Sequence, residues 1–117
     1  MKNSVRLEIK RRTPKGWYGL AAPKGWDDLI EETFLKVLNI YPDLEIHQIK
    51  EKFGGLRFYC NVPFKHKAYS FIKDAETRSY HICQNCGSTE ATNRNISKYW
   101  VATVCDLCLQ KNEIGYT

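Results

Sequence analysis

The sequence predicts an α+β fold, in which an antiparallel sheet with a β-hairpin packs against two helices and a cysteine-rich module follows. Three observations support this prediction: an amphipathic segment over residues 26–41, two alternating segments around Gly54-Gly55, and two Cys-x2-Cys pairs beyond residue 80. We expect residues 1–80 to form the α+β core with a basic N-terminal segment. We expect residues 81–117 to pack on that core, so that both form one compact unit.

The N-terminal segment predicts a strand followed by a loop. Val5, Leu7 and Ile9 alternate with charged residues, which is typical of a half-buried strand. The stretch TPKGWYGLAAPKGW that follows is rich in Gly and Pro, so we expect a loop that carries Trp17 and Trp26.

The most periodic segment predicts a helix that begins at Asp27 or Asp28 and ends before residues 41–43, Tyr-Pro-Asp. Either aspartate is a suitable N-cap, and Glu31 and Glu32 complement the positive end of the helix dipole. Dipole complementarity explains this acidic turn more simply than a docking patch does. The apolar positions follow the spacing of one helix face: Trp26, Leu29, Ile30, Thr33, Phe34, Val37, Leu38 and Tyr41.

The stretch KEKFGGLRFYC, residues 50–60, predicts a β-hairpin with a two-residue turn at Gly54-Gly55. This register places Lys52 opposite Arg57. Like charges directly opposite each other destabilise a sheet, so we expect a carboxylate or a partner to neutralise them. The glycines do not indicate a phosphate site, because no helix N-terminus follows them. One face of the hairpin is apolar except for Glu51, and the other carries Gln48, Lys50, Lys52, Arg57, Tyr59 and Asn61.

A second helix is predicted to begin at Pro63, and it leads into the first cysteine pair. Residues 99–104 are predicted to form a strand that leads into the second pair. The apolar stripe of the helix is narrower than that of the first: Phe64, Ala68, Phe71, Ile72, Ala75 and Ser79.

The two cysteine pairs predict a zinc-ribbon site for one structural Zn²⁺. Cys83 and Cys86 are separated from Cys105 and Cys108 by eighteen residues, a spacing typical of four-cysteine zinc sites. Four thiolates leave no open position for water or substrate, so the ion is expected to stabilise the fold. His81 could replace one cysteine, although its position favours a role outside the ligand set. Cys60, the fifth cysteine, is expected to fill the core.

Composition and charge limit the classes of protein that fit the chain. The 117 residues are 43% hydrophobic, and no apolar run is long enough for a membrane span. The N-terminus has charges where a signal peptide is apolar, so we expect a reducing cytoplasm and a protein without membrane contact. The net charge of +5 is unevenly placed: residues 1–25 hold seven basic side chains and one acidic one, whereas the remainder is close to neutral.

Three features resemble a family of small proteins found in phages, prophages and other mobile elements. They are Gly25-Trp26 before the amphipathic helix, the block KEKFGGLRFY at residues 50–59, and a cysteine-pair module after a short helix. The resemblance covers residues 25–108, and the block at 50–59 is its specific part. The family has no assigned reaction, so the resemblance implies a mobile-element setting, where small non-enzymatic proteins such as anti-CRISPR proteins block host defence machinery.

Two function hypotheses follow. The first is a monomeric, non-catalytic protein that binds and inhibits a protein partner, in its concrete form a host CRISPR nuclease. The second is a zinc-ribbon protein that binds nucleic acid as an accessory or transcriptional regulator. An enzyme has only Glu51 and Cys60 in its favour. The candidate partner-binding residues are of the types that dominate interfaces, although Trp17 and Trp100 could instead fill the core: Trp17, Tyr18, Lys50, Lys52, Arg57, Tyr59 and Trp100.

Overall fold

The fold is α+β, as the sequence predicts. A computed structural model describes residues 1–115. The elements, in chain order, are α1 (Asn3–Arg11), β1 (Gly19–Ala21), one turn of 3-10 helix (Lys24–Trp26), α2 (Asp27–Ile40), β2 (Ile46–Lys52), β3 (Gly55–Cys60), α3 (Tyr69–Ser79), β4 (Thr92–Ser97), β5 (Trp100–Val104) and α4 (Asp106–Gln110). They form a three-stranded sheet in the order β1-β2-β3 and a separate β4-β5 hairpin.

The predicted N-terminal strand is wrong, because residues 3–11 form helix α1. Val5 and Ile9 are buried, whereas Leu7, which a strand would bury with them, is 66% exposed. A spacing of four residues places Val5 and Ile9 on one helix face, so the alternating pattern also fits a helix. Glu8 pairs with Arg11 and Arg12 at helical spacing. These two hydrogen-bonded guanidinium groups lower the pKa of Glu8 to about 2.

The predicted loop contains a short strand, and the sheet is therefore mixed. Strand β1 pairs with β2 in parallel, with Leu20 beside Ile49. Parallel neighbours need a long crossover, which α2 provides between β1 and β2. The hairpin of β2 and β3 is antiparallel, as predicted.

Helix α2 matches its predicted start and end, but no side chain caps its first turn. Acidic side chains of the first two turns contact neighbouring helices instead. Asp27 accepts a hydrogen bond from Arg6 of α1 at 2.8 Å, and Glu32 pairs with Arg78 of α3. These acidic side chains therefore join α2 to both of the helices beside it.

The hairpin turn lies one residue earlier than predicted, at Phe53-Gly54. Both residues have positive φ, 54° and 78°, which a type I′ turn requires at its two central positions. Lys52 is therefore opposite Gly55, and Arg57 is opposite Lys50 rather than Lys52. From residue 48 to residue 59 the predicted faces remain valid, because the cross-strand pairs shift by two residues. Phe53, predicted on the apolar face, is an exposed turn residue, and a register irregularity between Ile46 and Gln48 places Ile46 opposite Cys60.

The second predicted helix begins later than Pro63, since α3 begins at Tyr69. Residues 64–68 form turns, and His66 Nδ1 accepts a hydrogen bond from the Ala68 N–H at 3.0 Å. Phe64 is 81% exposed and does not join the predicted stripe, whereas Ala68, Ile72 and Ala75 are buried.

The main core lies on one face of the three-stranded sheet. Buried side chains of β2 and β3 pack there against α1, α2 and α3, with Trp26 and Phe34 among the largest. A second cluster surrounds the cysteines and includes Ala102, Val104 and Ile114. Within residues 1–115, no helix is both long and apolar enough to cross a membrane.

Candidate metal centre

Two short turns place the four cysteines. Cys83 and Cys86 lie in the segment after α3, where the Gly87 N–H donates to Cys83 O at 3.0 Å and closes the turn. Gly87 has a φ of +84°, a backbone conformation that suits this bend. Cys105 directly precedes α4 and Cys108 lies within it, so the second pair is positioned by a helical turn rather than by a strand alone.

The four sulfur atoms are close enough to bind one metal ion. They all lie within 4.8 Å of one another, and Cys86 Sγ is 3.7 Å from Cys105 Sγ. A tetrahedral zinc site with Zn–S bonds of about 2.3 Å has sulfur–sulfur edges of about 3.8 Å. Cys83, Cys105 and Cys108 are buried, and Cys86 is exposed. This donor set and geometry fit a structural zinc, and no histidine joins the cluster among residues 1–115.

Hydrogen bonds to the sulfurs favour their thiolate forms, which are the forms that bind a cation. Burial opposes ionisation of Cys83, but the backbone N–H groups of Cys86, Cys105 and Asn85 outweigh it and lower the pKa of Cys83 to about 7. The Asn85 side chain donates to Cys108 Sγ at 3.4 Å. That bond favours the thiolate of Cys108, yet burial and the three neighbouring sulfurs raise its pKa to about 12. A dication between the sulfurs removes this mutual repulsion.

The first cysteine pair is fastened to the start of α2. The Gly25 N–H donates to Gln84 O at 2.9 Å, and the Trp26 indole donates to Ile82 O at 2.8 Å. A Cβ on Gly25 would lie 2.1 Å from Cys83 O, so only glycine fits at this approach. The Gly25-Trp26 pair therefore holds the cysteine-bearing segment against the core.

The tip of the β2-β3 hairpin forms a second attachment. Thr103 of β5 donates to Gly54 O at 2.6 Å, and Asn93 of β4 donates to Phe53 O at 3.0 Å. Thr103 is itself held by Gln84, whose side chain accepts the Thr103 N–H at 2.7 Å. A Cβ on Gly55 would lie 2.4 Å from the Tyr80 ring. The two glycines thus allow close packing as well as a turn, a role for which the sequence gives no separate signal.

Four of the predicted partner-binding residues lie on one surface. We call this surface the basic sheet face: Gln48, Lys50, Lys52, Arg57 and Tyr59, which project from β2 and β3 away from the core. Among residues 1–115, no carboxylate lies within 4.0 Å of the cations of Lys50, Lys52 or Arg57. Arg57 instead donates to Tyr80 Oη at 3.3 Å, and this hydrogen bond raises the pKa of Arg57.

The three aromatic candidates outside the three-stranded sheet lie in two places, Trp17 and Tyr18 beside each other and Trp100 at the cysteine cluster. Trp17 stacks on His47 with ring centroids 4.2 Å apart, and it lines a cleft of about 410 Å³ together with Arg57 and Tyr59. It is 51% exposed, so the core-filling alternative is wrong for Trp17. Tyr18 is exposed at a second cleft, which Trp17 also lines. Trp100 is half-buried against the cysteine cluster.

Glu51 and Cys60 have structural environments. Glu51 Oε2 accepts the Gly54 N–H at 2.7 Å and so stabilises the hairpin turn. Cys60 is half-buried beside the main core, in agreement with its predicted packing role, and burial raises the pKa of its thiol. A raised pKa lowers the thiolate fraction at neutral pH and with it the nucleophilicity of the sulfur.

The fold and the site together define the chain as an α+β protein with a four-cysteine cluster that is close enough to bind one metal ion. Compared with protein-family profiles, with curated proteins and with solved structures, the chain matches none. The resemblance to proteins of mobile elements therefore stays a prediction.

Proposed function

We propose that the chain is a non-catalytic binding protein, stabilised by one structural zinc ion, that docks on an acidic protein through the basic sheet face. The observation that carries this proposal is the positive charge of that face, whose cations form no ion pair within the described residues. The carboxylate that acts on Arg57 at longer range is Glu76 of α3, which lines the same 410 Å³ cleft. Lys50 and Arg57 are opposite each other without a carboxylate within 4.0 Å in the described part of the chain. The repulsion between these like charges destabilises the free protein, and an acidic surface that covers the pair removes this repulsion.

The residue types of the face also support an interface. Arg57 and Tyr59 adjoin Trp17 around the 410 Å³ cleft. Arginine, tyrosine and tryptophan are the commonest hot-spot residues in protein interfaces. The stacking of Trp17 on His47 fixes the indole before binding, which lowers the entropy lost on association.

The environments of Glu51 and Cys60 favour a non-catalytic role. These are the two residues that the sequence offers for chemistry, and each is engaged in the fold. A zinc ion bound by four thiolates is saturated and stabilises structure rather than activating water. The resemblance to mobile-element proteins gives the proposal its concrete form, a cytoplasmic, monomeric inhibitor of a host CRISPR nuclease.

Nucleic-acid binding is the second candidate, because Trp17 and Tyr59 offer planar rings beside cations. The cysteine module gives it less support. Arg94 of β4 pairs with Asp106 at 3.0 Å and donates to Val104 O, so its guanidinium is engaged within the module.

Co-purification of the tagged, zinc-loaded chain with candidate CRISPR nucleases tests the proposal. We expect a complex that loses about tenfold or more in affinity on Lys50→Glu plus Lys52→Glu. The pair Lys65→Glu plus Lys73→Glu is the matched control, since it makes the same change in net charge at exposed positions outside the face. A complex indifferent to the first pair would contradict the assigned face. Binding of a DNA or RNA strand, lost in the first pair alone, would favour the second candidate.

A further inference from the structure

A second cleft lies between α1 and the loop that precedes β1. Its volume is about 540 Å³, within the range of small-molecule sites, which is roughly 300–1,000 Å³. The buried Ile9 and the half-buried Leu20 contribute apolar surface. Three cations and two aromatic rings also line it: Arg6, Lys10, Lys15, Trp17 and Tyr18. We call it the N-terminal cleft.

Two of the four lysines of the N-terminal segment, Lys10 and Lys15, line this cleft; Lys2 and Lys24 lie outside it. The arginines of the segment are paired: Arg6 with Asp27, and Arg11 and Arg12 with Glu8. Lys10 and Lys15 have no carboxylate within 4.0 Å among residues 1–115. Two free ammonium groups at the edge of one cleft favour an anionic ligand, and a phosphate has the compact charge that lysine binds best.

The rings of the cleft favour a planar group next to that phosphate. Trp17 and Tyr18 are 51% and 78% exposed, although both rings have large apolar surfaces. Their place beside lysines matches the combination of cations and stacking platforms that proteins use for nucleotide units. The indole is held by its stacking on His47, so it does not need to be ordered by the ligand.

We infer that the N-terminal cleft binds a nucleotide unit, with the phosphate between Lys10 and Lys15 and the base against the rings of Trp17 or Tyr18. This site shares Trp17 with the 410 Å³ cleft beside the basic sheet face, but its lysines, Lys10 and Lys15, lie outside that face, and the inference does not rest on the proposed function. A free mononucleotide and a residue of a single-stranded nucleic acid share this chemistry. The charge of the N-terminal segment then has a ligand-binding role that sequence reasoning left open.

Titration of the full, zinc-loaded chain with AMP, inorganic phosphate and an oligo-dT tetramer tests the inference. Binding is measured by calorimetry, and the site is identified by NMR shifts of the Trp17 indole N–H and the Lys10 and Gly16 amides. We expect AMP or the tetramer to bind and to shift these signals, with inorganic phosphate much weaker because it has no base. Binding of AMP indicates a free nucleotide, and binding of the tetramer alone indicates a strand.

Substitutions in the N-terminal cleft and at control positions show whether the ligand binds at this cleft. Lys10→Glu plus Lys15→Glu should weaken binding about tenfold or more, and so should removal of the ring that carries the base, in one of Trp17→Ala and Tyr18→Ala. The pair Lys65→Glu plus Lys73→Glu should leave it unchanged, and so should Lys50→Glu plus Lys52→Glu, which tests the basic sheet face. The inference is overturned if neither AMP nor the tetramer binds, if phosphate binds as tightly as AMP, or if the cleft variants have no effect.

Discussion

Gly25 lies where the start of α2 meets the first cysteine pair. Its N–H donates to Gln84 O, and a Cβ at this position would meet the backbone oxygen of Cys83 at 2.1 Å. Backbone cannot rotate away as the end of a flexible side chain can. A single hydrogen atom in place of a side chain therefore permits the contact between core and metal site.

We expect Gly25→Ala to lower the free energy of unfolding by about 3 kcal/mol, because the added methyl overpacks a rigid contact. Chemical denaturation of the zinc-loaded protein measures this loss. The zinc affinity should fall as well, since the methyl displaces the segment that carries Cys83.

Gly16→Ala is the matched control for this prediction. Nothing lies within 4 Å of a Cβ at Gly16, so its cost is limited to the strain of a φ of +96°, on the order of 1–2 kcal/mol. A Gly25→Ala protein as stable as the Gly16→Ala protein would show that the contact between α2 and the cysteine pair is loose.

At the scale of elements, the β2-β3 hairpin shows what the sequence does and does not predict. The strands and their two faces follow from alternation of apolar and polar residues. The position of the turn does not follow from the sequence. Both residues of the Gly54-Gly55 pair suit the central positions of a type I′ turn, so the sequence indicates a turn one residue later than the observed one. In the structure Gly54 serves the turn and Gly55 packs against Tyr80, so Phe53 takes the other turn position at a φ of 54°.

The strained conformation of Phe53 yields a stabilising substitution. Phe53→Asn should raise the free energy of unfolding by about 0.5–1 kcal/mol, because asparagine adopts positive φ more readily than phenylalanine. The ring is 67% exposed, so little packing is lost. Thermal and urea unfolding measure the change.

Phe53→Ala separates the backbone effect from loss of the ring. Alanine removes the ring and its contact with Lys52, but it tolerates positive φ no better than phenylalanine. If alanine stabilises as much as asparagine does, the cause is removal of an exposed aromatic side chain, and the argument from φ fails.

At the scale of the whole molecule, sequence patterns predict the fold class, α2, the hairpin and the four-cysteine cluster. Each depends on a local period or spacing. The N-terminal helix was missed because Val5, Leu7 and Ile9 satisfy a strand pattern, and the exposure of Leu7 becomes visible only in the packed molecule. The contacts of Gln84 with Gly25 and of Thr103 with Gly54 were missed because they join residues far apart in the chain.

Removal of zinc is expected to disturb both parts of the chain. Zinc binding contributes on the order of 10 kcal/mol to folding of small four-ligand sites. The chelated protein should lose the β4-β5 hairpin and, with it, the hydrogen-exchange protection of the Gly25 amide, which donates to Gln84 O. Metal analysis should give one zinc per chain.

Cysteine variants provide the control for zinc removal. Cys83→Ser should abolish stoichiometric zinc, whereas Cys60→Ser should retain it, because Cys60 lies outside the cluster. A metal-free protein with an unchanged melting curve would refute the structural role of the site.

The contacts at Gly25, Gly54 and Gly55 limit how freely the two parts of the chain can be recombined. A cysteine module taken from another protein would have to pack against three glycines of the core at very short distance. In this chain the contacts with the hairpin tip are made by Thr103, Asn93 and Tyr80. Such a graft succeeds only if the donor module carries equivalent partners for the hairpin tip. The hairpin tip in the stretch FGGLRFY contacts residues that lie some 40 residues or more further along the chain. Substitutions on one side of this contact are expected to be tolerated only together with matching substitutions on the other side.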